Sequence, residues 1–279
     1  MQLPHNLVSC QWLAQHIDDG SLVVFDAGMS PAGSAKPYLA AAIIKGAQRF
    51  DFSNHLHDTT NPLPNMMPNA AFFTQAMQTM GVSQTSAVVV YDDQGIYSAA
   101  RAWWMFKAMG FNNVAVLDGG LPAWVVQQGP VQSAYSSPLA QGDFIAQVQV
   151  GLFIDAAQVL NSVADENVML LDARPANRFS GEQAEPRAGM RAGHIPHSKN
   201  LPYPDVIEHG FLRKTAELKA LFGLRVPSHV QQLQFSCGSG VTACILALAA
   251  SELGYTDLAV YDGSWSEWGQ RVDLPIDTH

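Results

Sequence analysis

The sequence predicts an α/β protein of two tandem domains, each a mainly parallel central sheet flanked by helices. Three observations carry that prediction. Short apolar runs of strand length alternate with alanine- and leucine-rich helical stretches. The chain also reads twice: the run ending in Asp26-Ala27 recurs as the one ending in Asp172-Ala173, 146 residues on, and Asp118-Gly119-Gly120 with Trp124 recurs as Asp262-Gly263-Ser264 with Trp268 at an offset of 144. Between these anchors, the run ending in Tyr91-Asp92 corresponds to the one ending in Ser236-Cys237, at an offset of 145. A period this long marks a duplicated domain rather than a solenoid, whose repeats span roughly 20–50 residues.

In chain order, the first domain is expected over 1–128, with strands at 22–27 and 87–92 and helices at 70–80 and 99–109. Gly129-Pro130 and Ser136-Ser137-Pro138 break the periodicity and place a linker at 129–149. The second domain, 150–279, should repeat the pattern, with strands at 168–173 and 230–235 and helices at 215–222 and 241–253. Parallel sheets of this kind collect ligands at the C-terminal ends of their strands, where Asp92 and Cys237 fall.

Cys237-Gly238-Ser239-Gly240-Val241-Thr242 joins a strand to a helix N-terminus. With no side chain at Gly238 or Gly240, backbone N–H groups can converge on one sulfur while the helix dipole adds positive potential. That environment favours a thiolate, which is a nucleophile and can carry an extra sulfur as a persulfide. At the matching position the first domain reads Asp92-Asp93-Gln94-Gly95, so it keeps the turn and lacks the nucleophile; a solvated loop is expected there rather than a metal site.

Composition narrows the function classes. A net charge of −9 argues against nucleic-acid and anionic-membrane partners, so an anionic substrate needs a few locally placed cations. Three cysteines, without a CxxC pair, suit a reducing compartment better than a disulfide framework. Cys244 and Cys10 read as packing residues. No long apolar span or basic-then-apolar N-terminus is present in the sequence, and a cytoplasmic location is expected. No metal-ligand spacing occurs, so neither a metal nor an organic cofactor is anticipated.

The Cys237 loop, together with Asp172-Ala173-Arg174, Gly193-His194-Ile195-Pro196, the segment 261–268 and the segment 98–104, resembles the tandem-domain sulfurtransferases of the rhodanese superfamily over nearly the whole chain. The loop is similar to that of members that use 3-mercaptopyruvate; thiosulfate-specific members carry basic residues after the cysteine. The resemblance implies that Cys237 takes sulfur from 3-mercaptopyruvate or thiosulfate and passes it to thioredoxin, small thiols or cyanide. It also implies that Arg178 and Arg187 bind substrate, with Gly238, Gly240, Val241 and Thr242 cradling the sulfur. A guanidinium fork suits the coplanar oxygens of a 2-oxo acid.

Family members place a loop serine, a histidine and an aspartate as a proton relay. Ser239 and Asp58 match the serine and the aspartate, but Asn65 stands where the histidine falls; His55 and His57 are nearby substitutes, although a lone histidine in a polar loop is more often a solvated surface residue. The first domain also reads Ala42-Ile43-Ile44-Lys45-Gly46-Ala47 where a Gly-His-Ile-Pro-Gly-Ala pattern is usual. His194 and His197, in the second copy of that motif, are expected to be structural. The alternatives are a thiosulfate:cyanide sulfurtransferase, a cysteine phosphatase, disfavoured by the short loop without a closing arginine, and a persulfide carrier that does not turn over.

Overall fold

The computed structural model describes residues 1–30, 34, 36–138 and 140–278. Its first half runs β1 (Leu7–Val8), α1 (Cys10–His16), β2 (Leu22–Asp26), β3 (Ile43–Ile44), β4 (Gln48–Arg49), α2 (Ala70–Thr79), β5 (Ala87–Tyr91), α3 (Ala99–Ala108), β6 (Val114–Leu117), α4 (Gly120–Val126) and β7 (Val131–Gln132). The second half runs β8 (Phe153–Ile154), α5 (Ala156–Ser162), β9 (Val168–Asp172), α6 (Ala176–Phe179), β10 (Lys199–Asn200), β11 (Ile207–Glu208), β12 (Phe211–Leu212), α7 (Thr215–Gly223), β13 (Gln232–Ser236), α8 (Ala243–Glu252), β14 (Leu258–Tyr261) and α9 (Ser264–Trp268).

The duplication is visible in the sheets. One has the order β1-β6-β5-β2-β4 and the other β8-β14-β13-β9-β10, and every neighbour pair in both is parallel. Asp26 pairs with Tyr91 and Asp172 with Ser236, so the registers also correspond. Asp92 and Cys237 therefore leave the same edge of their sheets, each just before a helix.

Those two helices explain how the halves join. Nine of the ten residues of α3 are buried, and so are Ala243 to Ala250 of α8. A helix apolar on all sides must be covered on all sides. Each lies between its own sheet and the other half, α3 packs on α8, and one continuous core runs through both. The alanines of α8 let the neighbouring backbone approach closely.

The 129–149 segment is irregular for most of its length but does not hang free between the halves. β7 pairs antiparallel with β3, Gly142 donates its N–H to Gln78 O at 2.8 Å, and Phe144 sits edge-on to Phe73 and Phe111. It belongs physically to the first half, because Phe144 completes that half's aromatic core while Val131, Ile145 and Val148 stay exposed.

Candidate active site

Capping differs between helices in a way that marks the site. α2 is capped by Asn69, whose side chain accepts from Phe72 N, and α5 by an Asp155–Gln158 capping box. Neither α3 nor α8 has a side-chain cap on its preceding residue. In the first half the amides ahead of and within the first turn of α3 go to Asp92: its carboxylate accepts from Gln94, Tyr97, Ser98 and Ala99 at 2.8–2.9 Å. The expected solvated loop is thus corrected. Asp92 is fully buried, and four N–H donors replace its water. In the second half Cys237 stands at that position, and the N–H groups of Ser239, Gly240, Val241 and Thr242 donate to no protein acceptor among the described residues.

Cys237 itself is 1% exposed, at the base of a cavity of about 220 Å³. α9 holds the loop from below. The Cys237 N–H donates to Ser264 Oγ at 3.2 Å, and Gly238 O accepts from both the N–H and the hydroxyl of Ser266. Arg178, from α6, and Arg187 line the same cavity as Cys237, Gly238, Ser239, Val241 and Thr242. Arg187 donates to Ser266 Oγ at 2.9 Å, which ties its guanidinium to the element that carries the loop. Gly240 stands behind the loop, not in the cavity wall. Its φ is +73°, and a Cβ there would lie 2.6 Å from Asp262 O.

Two buried groups that sequence reasoning did not assign to the site organise these cations. Glu185 pairs with both Arg178 and Arg174, and Arg174 forks onto Asp172 at 2.8–3.1 Å and lies 4.2 Å over Trp265. Three arginines against two carboxylates leave about one positive charge, matching one substrate carboxylate. The first half has lost this arrangement: Gly28 stands where the repeat places Arg174, and the Asp26 carboxylate accepts from Tyr38, Tyr135 and Gly28 instead. Met29 and Tyr97 of the first half and Tyr203 of the second complete the cavity wall. No sequence pattern flags them, because they converge only when the halves pack.

The residues expected to form the relay lie apart in the structure. The Asp58 carboxylate accepts from the N–H and hydroxyl of Thr60 at 2.9 and 2.7 Å, which hold it below its usual pKa, and Asp58 does not line the Cys237 cavity. Among the described residues His57 Nδ1 is buried without a hydrogen-bond partner, and His55 is largely exposed beside Asp51. Neither histidine is bonded to Ser239. Asn65 is: its Nδ2 lies 3.2 Å from Ser239 Oγ. His194 is structural, stacked 3.8 Å from Phe179 and bonded through Nδ1 to Phe179 O. A second, more open cleft of about 590 Å³, with Lys36, Tyr38, Asp51 and Asn65 in its wall, meets the first at Met29 and Arg187.

The Rhodanese-like domain family matches residues 9–127 and again 155–271. The chain belongs to the rhodanese family. As a tandem rhodanese it is 39% identical over 280 residues to the 3-mercaptopyruvate sulfurtransferase of Escherichia coli (strain K12), covering 97% of each chain. The thiosulfate sulfurtransferase of Mus musculus is also 39% identical, over 276 residues, covering 95% of this chain and 92% of the mouse protein. The crystal structure of the Escherichia coli 3-mercaptopyruvate enzyme SseA superposes with a TM-score of 0.84 at 36% identity, covering 94% of this chain and all of that one. Overall identity does not separate the two donors. Among the described residues no cluster of His, Cys, Asp or Glu is arranged to hold a metal, and no helix is long and apolar enough to cross a membrane.

Proposed function

We propose that this tandem rhodanese is a 3-mercaptopyruvate sulfurtransferase that carries sulfane sulfur on Cys237. The observation that supports it most is one small cavity containing Cys237, Arg178 and Arg187, with loop amides not otherwise engaged. Kinship with named 3-mercaptopyruvate sulfurtransferases over 97% of the chain supports the same reading.

In the first step the two guanidinium groups hold the substrate carboxylate and its neighbouring carbonyl, which aims the substrate sulfur at Cys237. The Cys237 thiolate attacks that sulfur, an S–S bond forms, and the C–S bond breaks with its electron pair delocalised into the pyruvate enolate. The proton first held by the substrate thiol ends on the enolate carbon. Pyruvate leaves, and Cys237 keeps a persulfide anion that the amides of residues 238–242 stabilise as an oxyanion hole stabilises oxygen. An acceptor thiol, reduced thioredoxin or cyanide then removes the outer sulfur. The three free cysteines fit a cytoplasmic, reducing setting for this chemistry.

Thiosulfate as donor is the second reading, favoured by the similarity to the mouse enzyme. Against it, Gly238 and Ser239 bring no cation to the loop and Glu185 offsets part of the arginine charge, which suits a dianion poorly.

Peptide mass spectrometry of reduced protein mixed with each donor tests the assignment. One added sulfur on the Cys237 peptide, formed faster from 3-mercaptopyruvate with release of pyruvate, is expected, and Cys237→Ser should abolish turnover with the fold intact. Loading from thiosulfate alone would give the donor to the second reading; no loading from either would remove the assignment.

A further inference from the structure

Ser239 and Asn65 lie 174 positions apart and meet where the two halves touch. The Asn65 amide nitrogen is 3.2 Å from Ser239 Oγ and 3.5 Å from the Ser239 carbonyl oxygen. A carbonyl only accepts, so the atom facing both oxygens must be the NH₂ group. Ser239 Oγ is therefore an acceptor from Asn65. Its own O–H donates to no protein group among the described residues, and Ser239 lines the cavity that holds Cys237.

The placement is rigid. Asn65 is 6% exposed and has a φ of +62°, a left-handed conformation that asparagine tolerates better than most residues. Its carbonyl accepts from Arg101 Nη2 at 2.6 Å, and two residues on, the Met67 N–H donates to Asp262 Oδ2 at 2.8 Å. Arg101 also donates to Gly240 O, next to Ser239. One buried ion pair thus clamps both partners of the Asn65–Ser239 contact.

We infer that Asn65 is a positioning residue that fixes the polarity of the Ser239 hydroxyl: by donating to Oγ it leaves the serine proton directed at the substrate's carbonyl oxygen. This rests on the 3-mercaptopyruvate reading above. As the C–S bond breaks, negative charge grows on that oxygen, and the Ser239 O–H stabilises it without being transferred. The proton that ends on the enolate carbon remains the one released from the substrate thiol. An amide does not ionise in the working pH range, so Ser239 acts as an oriented donor and not as a link in a relay.

The donor dependence tests this. Thiosulfate expels sulfite, which has no enolate oxygen to stabilise, so the effect must be specific to 3-mercaptopyruvate. Asn65→Asp keeps size and left-handed tolerance but presents acceptors to Ser239, turning its proton away; Asn65→Gly removes the contact without a φ penalty. In single-turnover loading of Cys237 at saturating donor, where the added charge no longer acts through thiosulfate binding, Asn65→Asp should slow transfer from 3-mercaptopyruvate by roughly 100–1000-fold, the range for losing an active-site donor, while transfer from thiosulfate stays within about twofold. Asn65→Gly should give a smaller, equally donor-selective loss of roughly fivefold. Ser239→Ala should match Asn65→Asp, with no further loss in the double variant. Equal losses with both donors, or an Asn65→Asp variant as fast as the parent, would overturn the inference and leave the proposed function standing. A parent protein that loads from thiosulfate but never from 3-mercaptopyruvate would remove both.

Discussion

Arg101, on α3 of the first half, meets Asp262, after β14 of the second, at 2.6 Å, with the arginine fully buried and the aspartate nearly so. Burial opposes the guanidinium charge, but the charge and hydrogen bond of Asp262, with smaller help from Cys244 and Cys237 nearby, together keep Arg101 above its ordinary pKa. The pair holds the Gly240 carbonyl and the Asn65 carbonyl from one guanidinium, so domain packing and active-loop geometry share a single support.

Breaking one side of that pair leaves a buried charge. Arg101→Met should lower unfolding stability by about 3 kcal/mol and Asp262→Asn by a similar amount, whereas the double variant should lose much less than their combined cost. Chemical denaturation of the three variants measures the coupling. Additive losses would show that the pair is not what joins the halves.

Asp92 fills its own loop with a carboxylate. Asp92→Asn replaces one accepting oxygen by an NH₂ group facing backbone N–H donors, and should destabilise by at least about 2 kcal/mol while leaving the rate of Cys237 loading unchanged. Thermal unfolding alongside single-turnover loading separates the two effects.

Burial raises the Cys244 thiol to about 12 and the Cys10 thiol to about 11, so both stay protonated and unreactive well above neutral pH. Iodoacetamide at pH 8 should modify the Cys237 peptide first, and preloading with sulfur should divert the label to the persulfide. Peptide mapping with Cys10 or Cys244 labelled first would count against this.

The charge balance around the cavity sets donor preference. Arg187→Gly removes one arm of the clamp on the carboxylate and its neighbouring carbonyl, a pair that thiosulfate lacks, and should raise KM for 3-mercaptopyruvate much more than for thiosulfate. Glu185→Gln removes one negative charge between Arg174 and Arg178, and should shift the ratio of kcat/KM values toward thiosulfate by on the order of tenfold. Steady-state assays with both donors decide it; a ratio unchanged by Glu185→Gln would remove the electrostatic explanation.

Gly240→Ala places a Cβ 2.6 Å from Asp262 O at a left-handed φ. It should cost about 1 kcal/mol or more in stability and slow loading from both donors alike, because it moves the loop itself. Unchanged kinetics would mean the loop tolerates the displacement.

Much of this was legible without coordinates. The duplication, the strands at 22–27 and 168–173, the helices at 99–109 and 241–253, and the loop at Cys237 are local patterns: apolar periodicity, turn glycines, a cysteine ahead of a helix. Arg178 and Arg187 emerged from family likeness, since isolated arginines have no periodic signature. The solvated reading of Asp92 failed because a sequence does not show that four amides curl back onto one carboxylate. Whether Asp58 or a histidine reaches the loop was not legible, because loop residues reach a site only through the exact path of the chain, and here Asp58 turns onto Thr60.

The sequence by itself determined the two α/β halves, which of them carries a cysteine loop ahead of a helix, and where in the chain that cysteine lies, because short-range patterns encode all three. Tertiary structure alone decided that Asn65 faces Ser239, that Arg101 and Asp262 clamp both, and that Glu185 tempers the arginines. Those relationships join residues from 7 to 174 positions apart: the first two exist only after the two halves bury their helices against each other, and the third only once the second half folds Glu185 back onto its arginines, bringing desolvated charges within hydrogen-bond reach.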